Sequence, residues 1–423
     1  MTQEISPGQT FLREIRSVIR KAVEILGYDE EVYQAVIEPE RVIQVKIPVK
    51  MDDGTTKVFI GWRSQHNSAL GPYKGGIRYH PQTDVYEVIA LSTGMTLKNS
   101  LAGLPYGGGK GGIRVDPHKL STRELERLSR GFIRAIYKYI GPDTDIPAPD
   151  VYTNPQIMAW MADEYYQLTG DNSLAMITGK PKLLGGLDTR IIATGFGGAV
   201  VAREIAKKLW GGLEGKTVAV QGYGNAGSFA AKFLHEMGAK IVAVSDSRGG
   251  IYSSKGLDPE DVLKTKKEKG SVIYYEGAEK QITNEDILLL DVDILVPAAI
   301  ENVITEKNAR DVKAKLIIEV ANGPVTSEAD KILHEKGVIS VPDILASAGG
   351  VVASHIEWMH NRMGGYITED EAKRLLEQKM ASNAVALWDY WHKLGTERHS
   401  MREAAYALAV ERVVNAMKLR GWL

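Results

Sequence analysis

Residues 216–246 read KTVAVQGYGNAGSFAAKFLHEMGAKIVAVSD and contain several structural patterns in one short stretch. An apolar run at residues 218–220 is typical of a buried strand. Three glycines follow it at once, namely Gly222, Gly224 and Gly227. The next residues favour a helix and then a second strand at residues 241–244, which ends at Asp246. Strand, glycine turn, helix and strand in this order predict a βαβ unit of a Rossmann-like domain.

The three glycines have separate physical roles in such a unit. Gly222 makes the tight turn, Gly224 lets a pyrophosphate approach the helix N-terminus, and Gly227 lets helix and strand pack closely. Together with Asn225 they are the predicted cofactor-binding residues of this turn. An ordinary strand-to-helix turn could contain the same glycines. The full context of strands and acid favours a bound NAD or NADP instead.

Asp246 stands where an acid accepts a hydrogen bond from the adenosine ribose. Its charge would repel a 2′-phosphate, which slightly favours NAD over NADP. Ser247 and Arg248 follow at once and could hold such a phosphate, so use of both coenzymes stays open.

Three further strand-like runs, at residues 294–296, 316–320 and 338–341, alternate with helical stretches. They predict that a parallel α/β sheet continues after the first βαβ unit. Ligands collect at the carboxyl ends of parallel strands, so residues 297–299 and 321–324 should face the cofactor.

A second informative region places three lysines among glycines, in GPYKGGIRYHP (residues 71–81) and KNSLAGLPYGGGKGG (residues 98–112). These lysines are Lys74, Lys98 and Lys110. Clustered ammonium groups and glycines without side chains indicate a pocket for an anionic substrate. A lysine with cationic neighbours also loses its proton more easily, as a general base requires. The alternative is a flexible glycine loop at residues 107–112 that carries a solvated lysine.

The segment IPAPD places Asp150 directly after two prolines. Prolines restrict the backbone and could therefore hold this carboxylate still. A turn or a helix-capping aspartate is the alternative interpretation.

Periodicity predicts the remaining elements. Alternating apolar residues from 43 to 62, interrupted by Asp-Asp-Gly, predict a β-hairpin. Apolar residues at helical spacing predict amphipathic helices, at residues 7–27, 83–101, 121–139, 154–168, 369–394 and 400–419.

Composition narrows the class of protein. A chain of 423 residues suggests about two domains, and 44% apolar and 25% charged residues are ordinary for a globular protein. A net charge of -1 argues against nucleic acid or an anionic membrane as the main partner. The absence of cysteine excludes disulfides and thiolate metal sites and fits the cytoplasm, and the nine histidines show no metal-ligand spacing. The first residues, MTQEISPGQT, do not resemble a signal peptide.

Nearly the whole chain resembles the glutamate dehydrogenases of the Glu/Leu/Phe/Val amino acid dehydrogenase superfamily. The motifs that carry this resemblance occur in the family's order: GPYKGGIRYHP, KNSLAGLPYGGGKGG, IPAPDVYT, ATGFGG, QGYGNAG, PAAIENVIT, EVANGP and SAGGVVASHIEW. The resemblance implies an α/β fold with two domains. Residues 1–187 with 358–423 would form a substrate-binding and oligomerisation domain to which the C-terminal helices return, and residues 188–357 a Rossmann-like NAD(P)-binding domain. It also implies an active site in the cleft and a homohexamer.

The resemblance assigns roles residue by residue. Lys110 corresponds to the family's catalytic lysine and Asp150 to its catalytic carboxylate. Lys98 corresponds to the lysine that binds the substrate α-carboxylate. Lys74 and Ser354 correspond to the pair that holds the side-chain carboxylate of glutamate.

Three more positions match family sites. Arg190 and Thr194 correspond to positions near the substrate and the nicotinamide, and Asn322 to a position near the nicotinamide ribose. The implied substrates are glutamate, 2-oxoglutarate and ammonium.

Lys74 bears on substrate choice. Leucine and phenylalanine dehydrogenases of the superfamily have GPALGG where this chain has GPYKGG. A buried lysine beside an alkyl side chain would cost several kcal/mol, so this lysine favours an anionic substrate. A branched-chain or aromatic amino acid dehydrogenase and a regulatory subunit without turnover remain the alternatives. Lys74 and Ser354 disfavour the first, and the presence of all three lysines with Asp150 disfavours the second.

Overall fold

The computed structural model describes residues 6–423. The first five residues of MTQEISPGQT, which bear on the signal-peptide prediction, lie outside the described residues. The chain forms two compact units. Of the described residues, unit 1 comprises 6–188, 354–372 and 406–423, and unit 2 comprises 189–353 and 373–405. The domain boundaries drawn from the sequence stay a prediction. The compact units differ from them chiefly in residues 373–405, which belong to unit 2.

Unit 1 contains a mixed five-stranded sheet with the order β1-β2-β4-β3-β5, in which β3 runs parallel to β4 and β5. Its first ten elements are α1 (Pro7–Ile25), α2 (Glu30–Ile37), β1 (Arg41–Lys50), β2 (Thr56–Asn67), β3 (Tyr73–His80), α3 (Val85–Leu101), β4 (Gly107–Arg114), α4 (Thr122–Ile136), β5 (Asp145–Pro149) and α5 (Pro155–Thr169). Helices α4 and α5 pack on the apolar face of this sheet.

Local sequence signals explain where these elements begin. Ser6 and Gln9 form a capping box at the start of α1, and Ser121 and Glu124 form another at the start of α4. The predicted hairpin is confirmed, because β1 pairs with β2 in antiparallel register across the turn at Gly54, whose φ is +87°. The helices predicted in this part of the chain are also confirmed, with ends that differ by a few residues.

The interpretation of residues 107–112 as a loop is wrong, because Gly107–Arg114 is the buried central strand β4. Glycine forms strands poorly, so no local signal marks this one. The packing explains the glycines: a Cβ on Gly108 would lie 2.1 Å from the carbonyl oxygen of Ser92 in α3, and one on Gly107 would lie 1.7 Å from that of Asn67. Backbone therefore packs directly against backbone on this strand.

A buried ion pair holds the sheet together beside β4. Arg63 of β2 and Asp145 of β5 are both fully buried and pair with each other. The Arg63 Nη1 also donates to the carbonyl oxygens of Gly75 and Gly76 in β3, at 3.0 and 3.4 Å. A Cβ on Gly109 would lie 3.0 Å from both Arg63 Nη2 and Asp145 Oδ1, so the glycine strand leaves room for this pair.

Unit 2 contains a seven-stranded sheet with the order β12-β11-β10-β6-β7-β8-β9. Its elements up to residue 346 are α6 (Thr189–Trp210), β6 (Thr217–Gln221), α7 (Asn225–Glu236), β7 (Lys240–Asp246), β8 (Gly249–Tyr252), α8 (Pro259–Lys269), β9 (Lys280–Ile282), α9 (Asn284–Leu288), β10 (Ile294–Pro297), β11 (Leu316–Ile318), α10 (Ser327–Glu335), β12 (Ile339–Val341) and α11 (Asp343–Ala346).

The predicted Rossmann-like βαβ unit is confirmed as β6, α7 and β7, and the sheet is parallel from β12 to β7. The sequence did not reveal β8 and β9, which add to the edge in antiparallel order and contain few apolar residues. The strand order reverses between β6 and β10, and this is where doubly wound sheets bind dinucleotides.

The chain ends in α12 (Gly349–Arg362), α13 (Glu369–Leu394) and α14 (Met401–Leu419), which confirms the two predicted C-terminal helices. Within residues 6–423, no helix is long and apolar enough to cross a membrane. The same residues contain no group of three or more histidine, cysteine or acidic side chains that could hold a metal ion.

His66 of β2 makes the stability of unit 1 sensitive to acid. Its ring is buried, Nδ1 lies 2.8 Å from the Thr96 hydroxyl, and burial lowers the pKa of His66 to about 4. Below an ordinary histidine pKa of about 6.5, the unfolded chain takes up a proton that the folded chain does not. The contribution of neutral His66 to stability is therefore present above about pH 6.5 and falls as the pH drops toward 4. The loss reaches about 3 kcal/mol.

The variant His66→Asn tests this linkage, because asparagine can still pair with Thr96 but does not titrate. We expect the wild-type free energy of unfolding to fall relative to that of the variant between about pH 6.5 and about pH 4, measured by urea unfolding. Parallel pH dependence of the two proteins would contradict the assignment.

Candidate active site

Lys110 and Asp150 are in direct contact, as their predicted roles require. Lys110 lies on the central strand β4, and Asp150 follows β5 directly. The distance from Lys110 Nζ to Asp150 Oδ2 is 3.1 Å. Gly76 of β3 leaves room for Asp150, because a Cβ there would lie 2.8 Å from the Asp150 Cβ. The glycines of the motif thus admit the Asp150 side chain as well as the backbone.

Arg78 is a third member of this cluster that the sequence analysis missed. Its Nε donates to Asp150 Oδ2 at 2.8 Å, and its Nη1 donates to Glu87 Oε1 at 2.6 Å. The signal was present in GPYKGGIRYHP: on a strand, residues 74, 76 and 78 share one face. It becomes readable only once the segment is assigned as strand β3.

The charges of this cluster set the protonation of both Lys110 and Asp150. Burial alone would raise the pKa of Asp150, but the charges of Lys110 and Arg78 outweigh it and lower that pKa to about 2. Burial lowers the pKa of Lys110, Asp150 opposes this effect, and Arg78 adds to it. Asp150 is therefore ionised at neutral pH, and Lys110 releases its proton more readily than a free lysine. An amine that can lose its proton next to a carboxylate can act as a general base.

Lys74 lies on β3 with only 2% of its surface exposed, and its Nζ donates to the Thr178 hydroxyl at 2.7 Å. Thr178 belongs to the ITGK segment that follows α5, and no sequence signal marks it. Burying an ammonium group is costly unless hydrogen bonds or an anion compensate for it. This environment suits a lysine that receives a carboxylate.

Ser354 lies buried on α12, one turn before Glu357. Glu357 accepts hydrogen bonds from the backbone N–H of Gly179 and from Lys180 Nζ, at 2.9 and 2.8 Å. The same segment therefore contacts Lys74 through Thr178 and holds the helix that carries Ser354. Lys98 is partly buried in the last turn of α3, so the substrate residues drawn from the sequence, apart from Arg190, all belong to unit 1.

In unit 2, Arg190 and Thr194 lie in the first turns of α6, and Asn322 is exposed after β11. The glycine turn fits a dinucleotide. Gly222 has a φ of +95°, and a Cβ on it would lie 2.6 Å from the Ala299 Cβ. A Cβ on Gly227 would lie 1.8 Å from the Gly222 oxygen, so helix and turn pack as predicted.

Gly224 and Asn225 provide the opening that a pyrophosphate needs. Gly224 is exposed, and a Cβ on it would meet no atom within 4 Å, so the N-terminus of α7 is accessible. Asn225 begins that helix, and its Nδ2 donates to the carbonyl oxygen of Ile191 in α6. Backbone N–H groups at a helix N-terminus attract phosphate.

Asp246 ends β7 as predicted, but its carboxylate is already hydrogen-bonded within unit 2. It accepts from the Ser271 hydroxyl, the backbone N–H of Val272 and the backbone N–H of Arg248, each at 2.9 Å. The Nζ of Lys266, in α8, lies 3.8 Å from the Asp246 Oδ2 and donates to the backbone carbonyl oxygen of Tyr223 at 2.8 Å. Lys266 therefore places a positive charge between the glycine turn and Asp246. It is twenty residues further along the chain, so sequence spacing did not reveal it.

These features define a class of protein. A Rossmann-like sheet with an open glycine turn, in a chain that also buries a lysine–aspartate pair beside an arginine, is typical of a dinucleotide-dependent dehydrogenase. The chain belongs to the Glu/Leu/Phe/Val dehydrogenase family. Residues 39–167 match the Glu/Leu/Phe/Val dehydrogenase dimerisation domain, and residues 185–421 match the Glutamate/Leucine/Phenylalanine/Valine dehydrogenase domain.

The sequences of known relatives align with almost the whole of this chain. A glutamate dehydrogenase of Aeropyrum pernix is 61% identical over 97% of this chain and 99% of its own. An NADP-specific glutamate dehydrogenase of Saccharolobus shibatae is 54% identical over 100% and 99%. A cryptic catabolic NAD-specific glutamate dehydrogenase of Bacillus subtilis is 49% identical over 97% and 96%.

Solved structures agree with this assignment. Glutamate dehydrogenase from Peptoniphilus asaccharolyticus has a TM-score of 0.89 and 46% identity, and the match covers 98% of this chain and 100% of that one. A hetero-hexameric glutamate dehydrogenase from Thermus thermophilus, in a leucine-bound form, has a TM-score of 0.88 and 34% identity, with 100% and 98% covered.

The role of Arg78 can be tested through the pH profile of amino acid oxidation. Arg78→Met removes a positive charge that disfavours the protonated form of Lys110, so the pKa of Lys110 should rise. We expect the rising limb of kcat/KM against pH to move to higher pH by about one unit. Arg78→Lys retains the charge and should shift the limb much less. Identical profiles for the two variants would rule out the electrostatic role.

Proposed function

We propose that the chain is an NAD(P)-dependent glutamate dehydrogenase that interconverts L-glutamate with 2-oxoglutarate and ammonium. The contact of Lys110 with Asp150 beside a second cation carries this proposal, because it supplies a base and an ionised acid in one place. The buried Lys74 supports an acidic substrate. The names of the relatives, all glutamate dehydrogenases, point the same way.

The lysines orient the substrate. Lys98 binds the α-carboxylate of glutamate, while Lys74 and Ser354 bind its side-chain carboxylate, with Arg190 as a further contact. Fixing both ends restricts the rotation of the substrate and so lowers the entropic part of the barrier. Bound NAD(P) would supply the acceptor for the hydride that leaves the substrate Cα. The residues that would hold the coenzyme are the glycine turn, Asn225, Thr194, Asn322 and Asp246.

Lys110 and Asp150 move the protons. Loss of hydride leaves an iminium carbon on the substrate, which water attacks while neutral Lys110 accepts a proton from that water. Asp150 passes the proton that Lys110 has gained on to the substrate nitrogen, and Lys110 then accepts the hydroxyl proton, so that ammonia leaves as the carbonyl group forms. Arg78 keeps Asp150 ionised between these transfers. In the direction of synthesis the same groups act in reverse.

Both NAD and NADP fit this chain. Asp246 directs its oxygens at Ser271 and Val272, and Lys266 partly balances its charge. These contacts weaken the repulsion between Asp246 and a 2′-phosphate. The slight preference for NAD was based on that repulsion. We therefore infer use of both coenzymes, with Lys266 and Arg248 as the cations that would face the 2′-phosphate.

Assembly and location are also proposals. A relative of known structure is hetero-hexameric, and its similarity covers the whole of this chain, which supports a hexamer, here of identical subunits. A cytoplasmic location rests on the absence of cysteine in the sequence.

The decisive experiment is a spectrophotometric assay of the wild type and of Lys74→Leu with ammonium, reduced coenzyme and either 2-oxoglutarate or 2-oxoisocaproate. We expect the wild type to prefer 2-oxoglutarate. The variant should lose about 100-fold or more of kcat/KM on it, because its side-chain carboxylate loses a buried cation.

Activity of Lys74→Leu on 2-oxoisocaproate serves as the internal control and should be unchanged or improved. A wild type that prefers 2-oxoisocaproate would establish the branched-chain alternative. A folded wild type that binds NADH without turnover would establish the regulatory subunit.

Coenzyme use is tested with Lys266→Met. The loss of its charge should lower kcat/KM for NADPH relative to NADH by about 10-fold, the value of one charge-assisted hydrogen bond to phosphate. Lys267→Met is the matched control, since Lys267 is the exposed neighbour on the same helix. Equal losses with both coenzymes would assign Lys266 a purely structural role.

A further inference from the structure

Three carboxylates surround one guanidinium in unit 2. The Nη2 of Arg402, in the first turn of α14, donates to both carboxylate oxygens of Glu319. Its Nε lies 3.4 Å from Asp330 Oδ1, and its Nη1 lies 3.7 Å from Asp343 Oδ1. Glu319 is fully buried and the Arg402 side chain is 13% exposed. A single arginine therefore holds together the acid that follows β11 and acids from α10 and α11.

This cluster is connected to the segment after β11. One residue, Val320, separates Glu319 from the segment 321–324. The Asp343 Oδ2 accepts a hydrogen bond from the backbone N–H of Gly323 at 2.9 Å. Gly323 has a φ of +54°, a conformation that glycine adopts readily. The backbone N–H of Asp343 in turn donates to Glu319 Oε2 at 3.4 Å. The position of Gly323 thus depends on Asp343, and the position of Asp343 depends on Arg402 and Glu319.

The segment 321–324 lies where a dinucleotide is bound in sheets of this kind. It follows the carboxyl end of β11, and the backbone N–H of Ala321 donates to the oxygen of Pro297 at the end of β10. Strands β10 and β11 lie on the opposite side of β6 from β7, which carries Asp246. The two halves of a dinucleotide bind on opposite sides of the reversal point, so β10 and β11 face the half without adenine.

We propose that Arg402 is a positioning residue for the coenzyme, because it holds segment 321–324 through Asp343 in the conformation that binds the nicotinamide half. The proposal rests on the proposed function, which supplies the coenzyme. Arg402 acts from α14, far along the chain from the glycine turn, and it touches neither coenzyme nor substrate in this role.

The charges show what its removal would do. Without Arg402, Glu319, Asp343 and Asp330 would face one another with no cation between them, and Asp343 would be driven from its place. Burial raises the pKa of Glu319 to about 7; Arg402 opposes this rise and Asp343 adds to it. The groups that face Glu319 are Arg402 and Asp343, together with the Ser340 hydroxyl, which donates at 2.7 Å; Asp330 faces the other side of Arg402. Because Arg402 opposes this rise, its loss should raise the pKa of Glu319 further, and the segment should weaken most at alkaline pH, where Glu319 ionises even without the guanidinium.

The test compares binding of NADH and of ADP to the purified full-length chain by fluorescence and calorimetry. We expect Arg402→Met to weaken NADH binding by about 10-fold at alkaline pH, near 9.5, and by less near pH 6, while ADP binding is unchanged. ADP contains only the adenosine half, so this contrast separates the effect from misfolding. The double variant Arg402→Met/Glu319→Gln removes one unpaired charge and should recover most of the NADH affinity.

Arg398→Met serves as the matched control, since Arg398 is an exposed arginine close to α14. The proposal is overturned if Arg402→Met binds NADH as the wild type does, or if NADH and ADP affinities fall together, or if Glu319→Gln restores nothing. A wild type that binds neither NADH nor NADPH would instead refute the proposed function.

Discussion

The buried pair of Arg63 and Asp145 is the interaction on which the geometry of unit 1 depends. Its guanidinium joins β2 to β5 and also binds two carbonyl oxygens of β3. Two charges without access to water are tolerated only when their hydrogen bonds are satisfied, and removal of one partner typically costs about 3–5 kcal/mol. Because Lys74, Lys110 and Asp150 lie on or beside the strands joined by this pair, the pair also determines where these three side chains lie.

A second constraint is the balance of charge around Asp150. A carboxylate between two cations remains ionised, and a buried lysine beside an arginine loses its proton readily. Each member of the cluster thus sets the protonation state of the others. A similar arrangement with the signs exchanged occurs in unit 2, where Arg402 stands among three acids. In both units, buried charges are used in groups whose members come from separate elements.

Much of the fold could be read from local patterns. Periodicity and residues with strong local preferences predict the hairpin at β1 and β2, the capped helices and the βαβ unit of unit 2. The failure at Gly107–Arg114 has a clear reason. Its glycines have no preference for a strand, and they are required because Asn67 and Ser92 approach the backbone of β4 from neighbouring elements. Strands β8 and β9, at one end of the sheet, could not be predicted because they are short and contain few apolar residues.

The sequence by itself determined the Rossmann-like unit, the lysines and the acid of the candidate site, and the family, because each depends on residue identity within a short motif. Only the tertiary structure decided that Arg78 donates to Asp150 and that Lys74 donates to Thr178. It also decided that Asp246 accepts hydrogen bonds from Ser271 and Val272. These contacts depend on strand register and on side chains far apart in the chain. Electrostatic and hydrogen-bond energies depend on distance in space, and local patterns in a sequence contain no such distances.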